Sequence, residues 1–271
     1  MVETIGFVGS GNMAEAMIGG VLKAGVYRPE QVFVSDIRQE RLQFLREHYG
    51  VCIAADNADL ASQVDVLVLS VKPQVMKTAL ENIKDRLRKD ALVISIAAGV
   101  RTSLISSVLG DVAIIRVMPN MSAWVGEAAS ALFANTKAKP KVEKGRLVFL
   151  SVGKVFVVDS EDLLDSVTAV SGSGPAYYFL LMQEMIKAAV ELGLPEADAR
   201  GMVLQTAKGA ALLAEKAAGT GETPSQLTAR VATPNGTTEA ALKVFAAGGF
   251  GNMVSTALRR AAERSRELSA G

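Results

Sequence analysis

Short runs of branched apolar residues alternate with longer amphipathic segments from the start of the chain to about Val158. The apolar runs are Thr4–Val8, Gln31–Ser35, Val66–Val71, Leu92–Ala97, Ala113–Val117 and Lys154–Val158. Several are continuous Val, Ile and Leu, as expected for parallel strands covered on both faces. The segments between them, such as Met13–Ala24, Arg38–Tyr49 and Pro73–Arg88, are long enough to be crossover helices. The pattern predicts an α/β fold with a doubly wound parallel sheet.

The strand pattern stops after about Asp159, and the rest of the chain reads as helices separated by Gly and Pro. We therefore expect two domains, an α/β domain over residues 1–160 and an all-helical domain over residues 161–271. The predicted helix Pro175–Leu192 carries its charges on one narrow face, and most of its circumference is apolar or small. This pattern favours a subunit interface, and the alternative is a helix central to its own bundle.

Composition narrows the class of protein. The chain has 271 residues and a formal net charge of +1, so charge gives no case for nucleic acid or an anionic membrane as partner. Cys52 is the only cysteine, which excludes an internal disulfide and a cysteine-based metal cluster, and we expect no metal. The chain begins with an apolar strand rather than a signal sequence and has no apolar run of bilayer length. We expect a cytoplasmic protein.

A glycine fingerprint follows the first predicted strand. Val8 ends the strand, and Gly9-Ser10-Gly11-Asn12-Met13-Ala14 has the spacing G-x-G-x-x-A and opens a helix. In this context the first glycine permits a tight turn, the second lets a pyrophosphate approach the backbone, and the alanine allows close packing of helix and strand. The motif predicts a nicotinamide dinucleotide site, and a glycine turn needed only for packing is the alternative.

In this fold, residues at the end of the second strand contact the adenosine ribose of the dinucleotide. Here they give conflicting indications of NAD and NADP. Asp36 can hydrogen-bond a 2′-hydroxyl and favours NAD, whereas Ser35 and Arg38 can hold a 2′-phosphate and favour NADP. Either charge is also compatible with an ordinary solvated helix start. The sequence leaves the choice of cofactor open at this point.

Three further predicted strands end in small or rigid residues at the same edge of the sheet. These ends are Ser70-Val71-Lys72-Pro73, Ile96-Ala97-Ala98-Gly99 and Arg116-Val117-Met118-Pro119-Asn120. Each alone is compatible with a plain turn. Together they favour a cleft with room for a flat ring and a ribose, because ligands bind at the carboxyl ends of such strands.

Two segments of the helical half lead into helix N-termini. They are Ser171-Gly172-Ser173-Gly174-Pro175 and Thr233-Pro234-Asn235-Gly236-Thr237-Thr238-Glu239. A helix start preceded by Gly offers free backbone N–H groups that suit a carboxylate, and the two threonines add hydroxyl donors. The alternative is a capped helix start with no ligand. Upstream, Thr223-Pro224-Ser225-Gln226 has the residues of a capping box.

These segments together resemble the pyrroline-5-carboxylate reductase family. The residues that carry the resemblance occur in family order over the whole chain. They are Phe7–Ala14, Val71-Lys72-Pro73, Ala97-Ala98-Gly99, Arg116–Asn120, Ser171–Tyr177 and Pro234–Thr238. The Ser-Gly-Ser-Gly-Pro-Ala-Tyr and Pro-x-Gly-x-Thr blocks are specific, whereas the glycine fingerprint is not.

The resemblance implies a Rossmann domain followed by a helical dimerisation and substrate-binding domain, in dimers that often assemble into a decamer, a pentamer of dimers. The implied reaction, the last step of proline biosynthesis, reduces 1-pyrroline-5-carboxylate to L-proline with NADPH or NADH. It further implies that Pro234, Asn235, Gly236 and Thr237 hold the substrate carboxylate and that the hydroxyl of Thr238 faces the imine nitrogen. The implied dinucleotide site adds Asn57 to the strand-end residues above, among them Ser35, Ser70, Val71, Lys72, Pro73, Ala97 and Ala98. Family habit favours NADP.

The chain departs from the family pattern at three places. Asn235 stands where the family usually has Gly, and Asn tolerates a positive φ better than most residues, so the turn can survive. Met121-Ser122 replaces Thr-Pro, which affects contacts on the nicotinamide side. Thr223 replaces a common His. These changes bear on affinity more than on the hydride chemistry.

The candidate acid–base groups fit an imine better than an alcohol. His48 is the only histidine and falls near the end of the second predicted helix, where we expect it at the surface. A cyclic imine is basic enough to need only orientation and a hydrogen bond at nitrogen. A β-hydroxyacid dehydrogenase, the first alternative, would place a lysine soon after the Gly-rich loop, but Lys187 comes about three turns too late. A non-catalytic dinucleotide-binding dimer, the second, would not need the Pro234–Thr238 turn.

Overall fold

The computed structural model describes residues 3–270, and within that range eight strands form one sheet. The strands are β1 (Ile5–Val8), β2 (Val32–Ser35), β3 (Cys52–Ile53), β4 (Val66–Leu69), β5 (Leu92–Ser95), β6 (Ala113–Met118), β7 (Ala128–Ala134) and β8 (Gly153–Val157). Their order is β3-β2-β1-β4-β5-β6-β7-β8. All neighbours are parallel except β6 and β7, which are antiparallel. The doubly wound sheet is confirmed, with its reversal of strand order between β1 and β4.

Helices connect the strands and then make up the rest of the chain. They are α1 (Asn12–Lys23), α2 (Gln39–Tyr49), α3 (Asn57–Gln63), α4 (Met76–Ile83), α5 (Thr102–Leu109), α6 (Val142–Leu150), α7 (Leu163–Val167), α8 (Gly174–Glu191), α9 (Glu196–Ala218), α10 (Pro224–Val231), α11 (Thr237–Ala247) and α12 (Phe250–Ala270). The predicted helix Pro73–Arg88 is shorter than expected, because Pro73–Val75 forms a 3-10 turn before α4 begins. The capping box at Thr223 is confirmed at the start of α10.

Strands β1, β4 and β5 are buried on both faces, which explains their continuous apolar sequence. Along β4, Val66 and Val68 belong to one buried cluster, and Leu67 and Leu69 belong to another on the opposite face. Successive side chains of a strand point to opposite faces, so only a sheet covered on both sides can bury all four. The two clusters hold the carboxyl ends of the strands in fixed positions.

Strand β7 was missed from the sequence, and so was the two-residue strand β3. The sequence of β7 is Ala-Ala-Ser-Ala-Leu-Phe-Ala, and alanine and serine give no strand signal. Tertiary pairing supplies the structure instead, since β7 pairs antiparallel with β6 and parallel with β8.

The chain divides into two compact units. The first joins residues up to Pro175 with those from Arg259 onward, and the second is Ala176–Leu258. Within the first unit, the final helix is anchored by a buried hydrogen bond of 2.6 Å from Ser265 Oγ to Asp165 Oδ1. The boundary at residue 160 stays a prediction.

The second unit has almost no core of its own. Between Ala176 and Leu258 the buried residues are small or few: Ala199, Val203 and Ala217. Large apolar side chains are exposed along α8, including Tyr178 at 67% and Leu180 at 58%. Exposed apolar surface on this scale is typical of a face that another protein surface covers.

Candidate active site

The glycine fingerprint forms the turn between β1 and α1. Gly9 has a φ of +87° and donates its N–H to Ser35 O at 2.8 Å, which ties the turn to the end of β2. A Cβ on Gly9 would lie 2.8 Å from Val71 Cγ1, so the position requires glycine. Gly11 caps α1, and a Cβ there would meet nothing within 4 Å. The backbone at the helix start is therefore open to a pyrophosphate, and Ala14 is buried beneath it.

Ser10 is held on both sides of its peptide backbone. Its N–H donates to Asp36 Oδ2 at 2.7 Å, and its carbonyl accepts from Arg41 Nε at 2.6 Å. Arg41 also pairs with Glu15 of α1 and lies over the ring of Phe44, 5.1 Å from its centroid. The glycine turn is thus fixed from β2 and α2 before any ligand binds.

The carboxylate of Asp36 is saturated by donors of the chain itself. Besides Ser10 N–H, it accepts from the backbone N–H of Arg38 at 3.0 Å and from Arg38 Nε and Nη2 at 3.0 and 3.1 Å. A carboxylate offers roughly four lone-pair sites, and these donors fill them. Burial alone would raise the pKa of Asp36, but the hydrogen bonds from Arg38 and Ser10 outweigh it and leave the pKa below its usual value. Asp36 is therefore ionised and internally engaged at neutral pH.

Arg38 remains accessible although it pairs with Asp36. Its side chain is 51% exposed, and the adjacent carboxylate raises its pKa, so the guanidinium is always charged. Its planar fork has donors enough to hold Asp36 and meet a phosphate as well.

A cleft of about 500 Å³ lies at the end of β2, beside this pair. Ser35, Asp36 and Asn57 line it, and Ser35 Oγ donates to Asn57 Oδ1 at 2.7 Å. The structure therefore brings Ser35 and Asp36, two of the residues that the sequence assigned to the adenosine ribose, to one cleft with Asn57, whereas Arg38 does not line that cleft.

The other predicted cofactor residues follow β4 and β5 at the same edge. Ser70 Oγ donates to Gly9 O at 2.6 Å, and Val71 lies against Gly9. Lys72 is exposed and precedes the 3-10 turn that begins at Pro73. Past the end of β5, Ala97 is buried and Ala98 is half-buried.

Sequence reasoning missed Arg41 and Glu15, which hold the glycine turn. Arg41 lies in the first turn of α2 and Glu15 in the first turn of α1. Glu15 also accepts a hydrogen bond of 3.1 Å from Tyr49 Oη. A glutamate on the apolar side of a predicted buried helix was the available signal, since such a charge requires a partner.

The Thr233–Glu239 turn lies in the second unit and leads into α11. Asn235 has a φ of +61°, the left-handed conformation expected from its place in a glycine pattern, and its N–H donates to Glu239 Oε2 at 2.8 Å. The N–H of Gly236 donates to Thr233 O at 3.0 Å, and a Cβ on Gly236 would lie 2.5 Å from Thr233 Oγ1. Helix geometry leaves the N–H groups of Thr237 and Thr238 without intrahelical partners. The turn therefore presents donors at the start of α11.

His48 is exposed in the last turn of α2, where its Nδ1 lies 2.9 Å from Phe44 O. This confirms the expected surface position. Within residues 3–270, His, Cys, Asp and Glu side chains form no group of three or more suited to a metal ion. None of the helices described there combines the length and apolar character needed to cross a bilayer.

Two family models match the chain. The model described as pyrroline-5-carboxylate reductase dimerisation matches residues 161–268. The model described as NADP oxidoreductase, coenzyme F420-dependent, matches residues 4–99. The dimerisation model thus covers the helical C-terminal part of the chain. The oxidoreductase model covers the glycine turn and strands β1 to β5.

Relatives cover nearly all of the chain. Pyrroline-5-carboxylate reductase of Pseudomonas aeruginosa is 41% identical over 267 residues, which is 98% of this chain and 96% of the relative. The solved structure of a pyrroline-5-carboxylate reductase from Coxiella burnetii is 39% identical, covers 99% of both chains and has a TM-score of 0.92. The Plasmodium falciparum pyrroline carboxylate reductase, solved with NADP bound, is 28% identical over 98% of both chains, with a TM-score of 0.88. Because the similarity is this high over essentially the full length, the chain belongs to the pyrroline-5-carboxylate reductase family.

Proposed function

We propose that this chain reduces 1-pyrroline-5-carboxylate to L-proline with NADPH as the hydride donor. The observation that carries the proposal is the full-length similarity to pyrroline-5-carboxylate reductases. Two local geometries support it: an open glycine turn at the start of α1 and a donor-rich turn at the start of α11. The first suits a dinucleotide and the second suits an anionic substrate.

The saturated carboxylate of Asp36 supports NADPH over NADH. A ribose 2′-hydroxyl would compete with four internal donors for Asp36, whereas the half-exposed guanidinium of Arg38 can meet a 2′-phosphate. The NADP in the Plasmodium relative agrees with this choice.

The dinucleotide contacts are proposed as follows. The turn from Val8 to Met13 holds the pyrophosphate, the cleft lined by Ser35, Asp36 and Asn57 holds the adenosine end, and Arg38, beside Asp36, meets the 2′-phosphate. The segments Ser70–Pro73 and Ala97–Ala98 line the path toward the nicotinamide. When bound, the reduced nicotinamide supplies the hydride.

The substrate carboxylate is proposed to bind the turn from Pro234 to Thr238. Since the N–H groups of Asn235 and Gly236 are engaged within the turn, these two residues shape it, and Thr237 and Thr238 supply the donors. The hydroxyl of Thr238 forms a hydrogen bond at the ring nitrogen. A protonated cyclic imine accepts hydride at carbon without a strong general acid, so a threonine is adequate.

The assembly is proposed to be a homodimer built through the helical unit, with five dimers forming a decamer. The scarcity of buried residues between Ala176 and Leu258 and the exposed apolar face of α8 support a partner subunit. Sedimentation velocity tests this: a monomer would contradict the dimer, and a dimer alone would contradict the decamer. The cytoplasmic location and the domain boundary at residue 160 stay predictions from the sequence.

The activity is tested by following NADPH and NADH oxidation with racemic 1-pyrroline-5-carboxylate. We expect oxidation that depends on the substrate, consumes one enantiomer, yields L-proline and is faster with NADPH. Protein that is folded and binds dinucleotide but oxidises neither cofactor would overturn the proposal. A hydroxyacid substrate would then be tested next.

A further inference from the structure

Asn120 has an unusual amide at the carboxyl end of β6. It follows that strand by two residues and is 8% exposed. Its Nδ2 donates to Ser171 O at 3.1 Å, in the π-helical turn Thr168–Gly172 that leads to α8. One end of the amide is therefore fixed against a backbone carbonyl.

The other end of the amide is buried without a partner. Among residues 3–270, Asn120 Oδ1 has no hydrogen-bond donor and no contact with solvent. The amide cannot relieve this by flipping, because Oδ1 would then face the carbonyl oxygen of Ser171. Leaving a buried acceptor unsatisfied costs about 1–3 kcal/mol, so such an atom calls for an explanation.

The position of Asn120 suggests what the partner is. From the switch point, β6 is the third strand from β1, which corresponds to about 14 Å across the sheet at the usual strand spacing. The 3-10 turn that follows Asn120, Met121–Val125, packs against α1. Asn120 thus lies at the carboxyl edge of the sheet, where ligands bind. The adenosine cleft lies at the same edge, at the end of β2 on the other side of β1.

We propose that Asn120 Oδ1 accepts a hydrogen bond from the carboxamide N–H of the nicotinamide ring. The inference rests on the proposed NADPH site and adds to it a residue that hydrogen-bonds the nicotinamide ring. Ser171 holds the Nδ2 end of the amide, and the groups that shield Oδ1 from solvent must move aside when the carboxamide binds. A bound carboxamide satisfies the orphaned oxygen, and the ring is oriented as a result.

The test is a binding cycle measured by calorimetry, with no turnover involved. NADPH is compared with its 3-acetylpyridine analogue, in which a methyl group replaces the amide NH2, on the natural protein and on Asn120→Ala. We expect the natural protein to bind the analogue about 10-fold more weakly, as for one lost hydrogen bond, and the variant to bind both ligands equally. A natural protein that binds both equally, or a variant that retains the full discrimination, would overturn the proposal.

A ligand fragment distinguishes a direct contact with the nicotinamide from a structural role of Asn120. The fragment 2′-phospho-ADP-ribose lacks nicotinamide, and Asn120→Ala should leave its Kd unchanged. If the fragment weakens as much as NADPH, the role of Asn120 is only structural. If Asn120→Ala raises only the KM for the imine, the substrate nitrogen rather than the nicotinamide donates to Asn120, and the proposal is overturned. If the natural protein binds neither fragment nor NADPH, the proposed function itself fails.

Asn135 provides the matched control. It is an asparagine of the same unit whose amide is fully used: Oδ1 accepts from Ile114 and Ala138, and Nδ2 donates to Val112 O. Asn135→Ala should lower the melting temperature but preserve the discrimination between NADPH and its analogue. Should Asn120→Ala not fold, equal binding of NADPH and its analogue by the natural protein would still overturn the proposal.

Discussion

The carboxylate of Asp36 accepts a hydrogen bond of 2.7 Å from the backbone N–H of Ser10, so a residue that follows β2 holds the glycine turn. Arg38 occupies the rest of that carboxylate. This arrangement explains why the sequence signals at Asp36 and Arg38 conflict. Asp36 acts within the protein, and the half-exposed guanidinium of Arg38 is the group that we propose for the ligand.

Replacing Arg38 should shift the cofactor preference. In Arg38→Ala, kcat/KM for NADPH should fall about 10–100-fold, as expected for lost charge-assisted hydrogen bonds, while kcat/KM for NADH changes little. Steady-state rates with both cofactors measure the shift. Arg46→Ala, in the last turn of the helix α2 that Arg38 precedes, is the control and should behave as the natural protein. Equal losses with both cofactors would contradict a role in phosphate binding.

Asp36 should contribute a pH-dependent part of the stability. Because its pKa is lowered in the folded state, the contribution is complete above its ordinary pKa of about 4 and is lost as the pH falls through the lowered value. We compare melting temperatures of the natural protein and Asp36→Asn across the acid range. Their difference should be constant near neutral pH and shrink below about pH 4. If the difference in melting temperature grew on acidification instead, the stabilising role of the ionised Asp36 would be contradicted.

Arg41 should stabilise the glycine turn through a largely buried pair. Arg41→Met leaves the Glu15 carboxylate without its cation and should cost about 3 kcal/mol in the free energy of unfolding by urea. The double variant Arg41→Met with Glu15→Gln should recover part of the loss, since no unpaired charge remains. Additive losses in the double variant would show that the two side chains act independently.

The left-handed turn should tolerate glycine and resist alanine at position 235. Asn235→Gly should keep both stability and the KM for the imine near natural values. Asn235→Ala should cost about 1 kcal/mol and raise that KM, because alanine disfavours a φ of +61°. Melting temperatures and steady-state kinetics on both variants check this. An alanine variant as active and stable as the glycine variant would contradict the strained turn.

Thr238 should assist the reaction without being essential. Thr238→Ala should reduce kcat about 10–100-fold for a lost hydrogen bond that strengthens as the reaction proceeds. Thr238→Ser keeps the hydroxyl and should restore most of the rate. Complete loss of turnover in a folded alanine variant would instead make Thr238 an essential proton donor.

The sequence predicted the features that depend on local pattern. Continuous apolar strands and the Gly9 turn follow from residue type and spacing, the left-handed Asn235 follows from its place in the family's glycine pattern, and all three are present. Strand β7 was missed because its alanines pair only through neighbours distant in the chain.

The predictions fell short where side chains meet across the fold. Arg41 and Glu15 are 26 positions apart, so no local pattern reveals their contact. The saturation of Asp36 likewise depends on a turn distant in sequence. Orphaned atoms such as Asn120 Oδ1 become visible only once every neighbour has a position.

The transfer of a labelled hydride tests the central claim most directly. Protein is incubated with racemic 1-pyrroline-5-carboxylate and NADPH that carries deuterium on the transferred face of the nicotinamide. Mass spectrometry should find L-proline heavier by one deuterium, located at the carbon of the former C=N bond. Unlabelled proline, or NADPH consumption without proline, would contradict the proposed imine reduction.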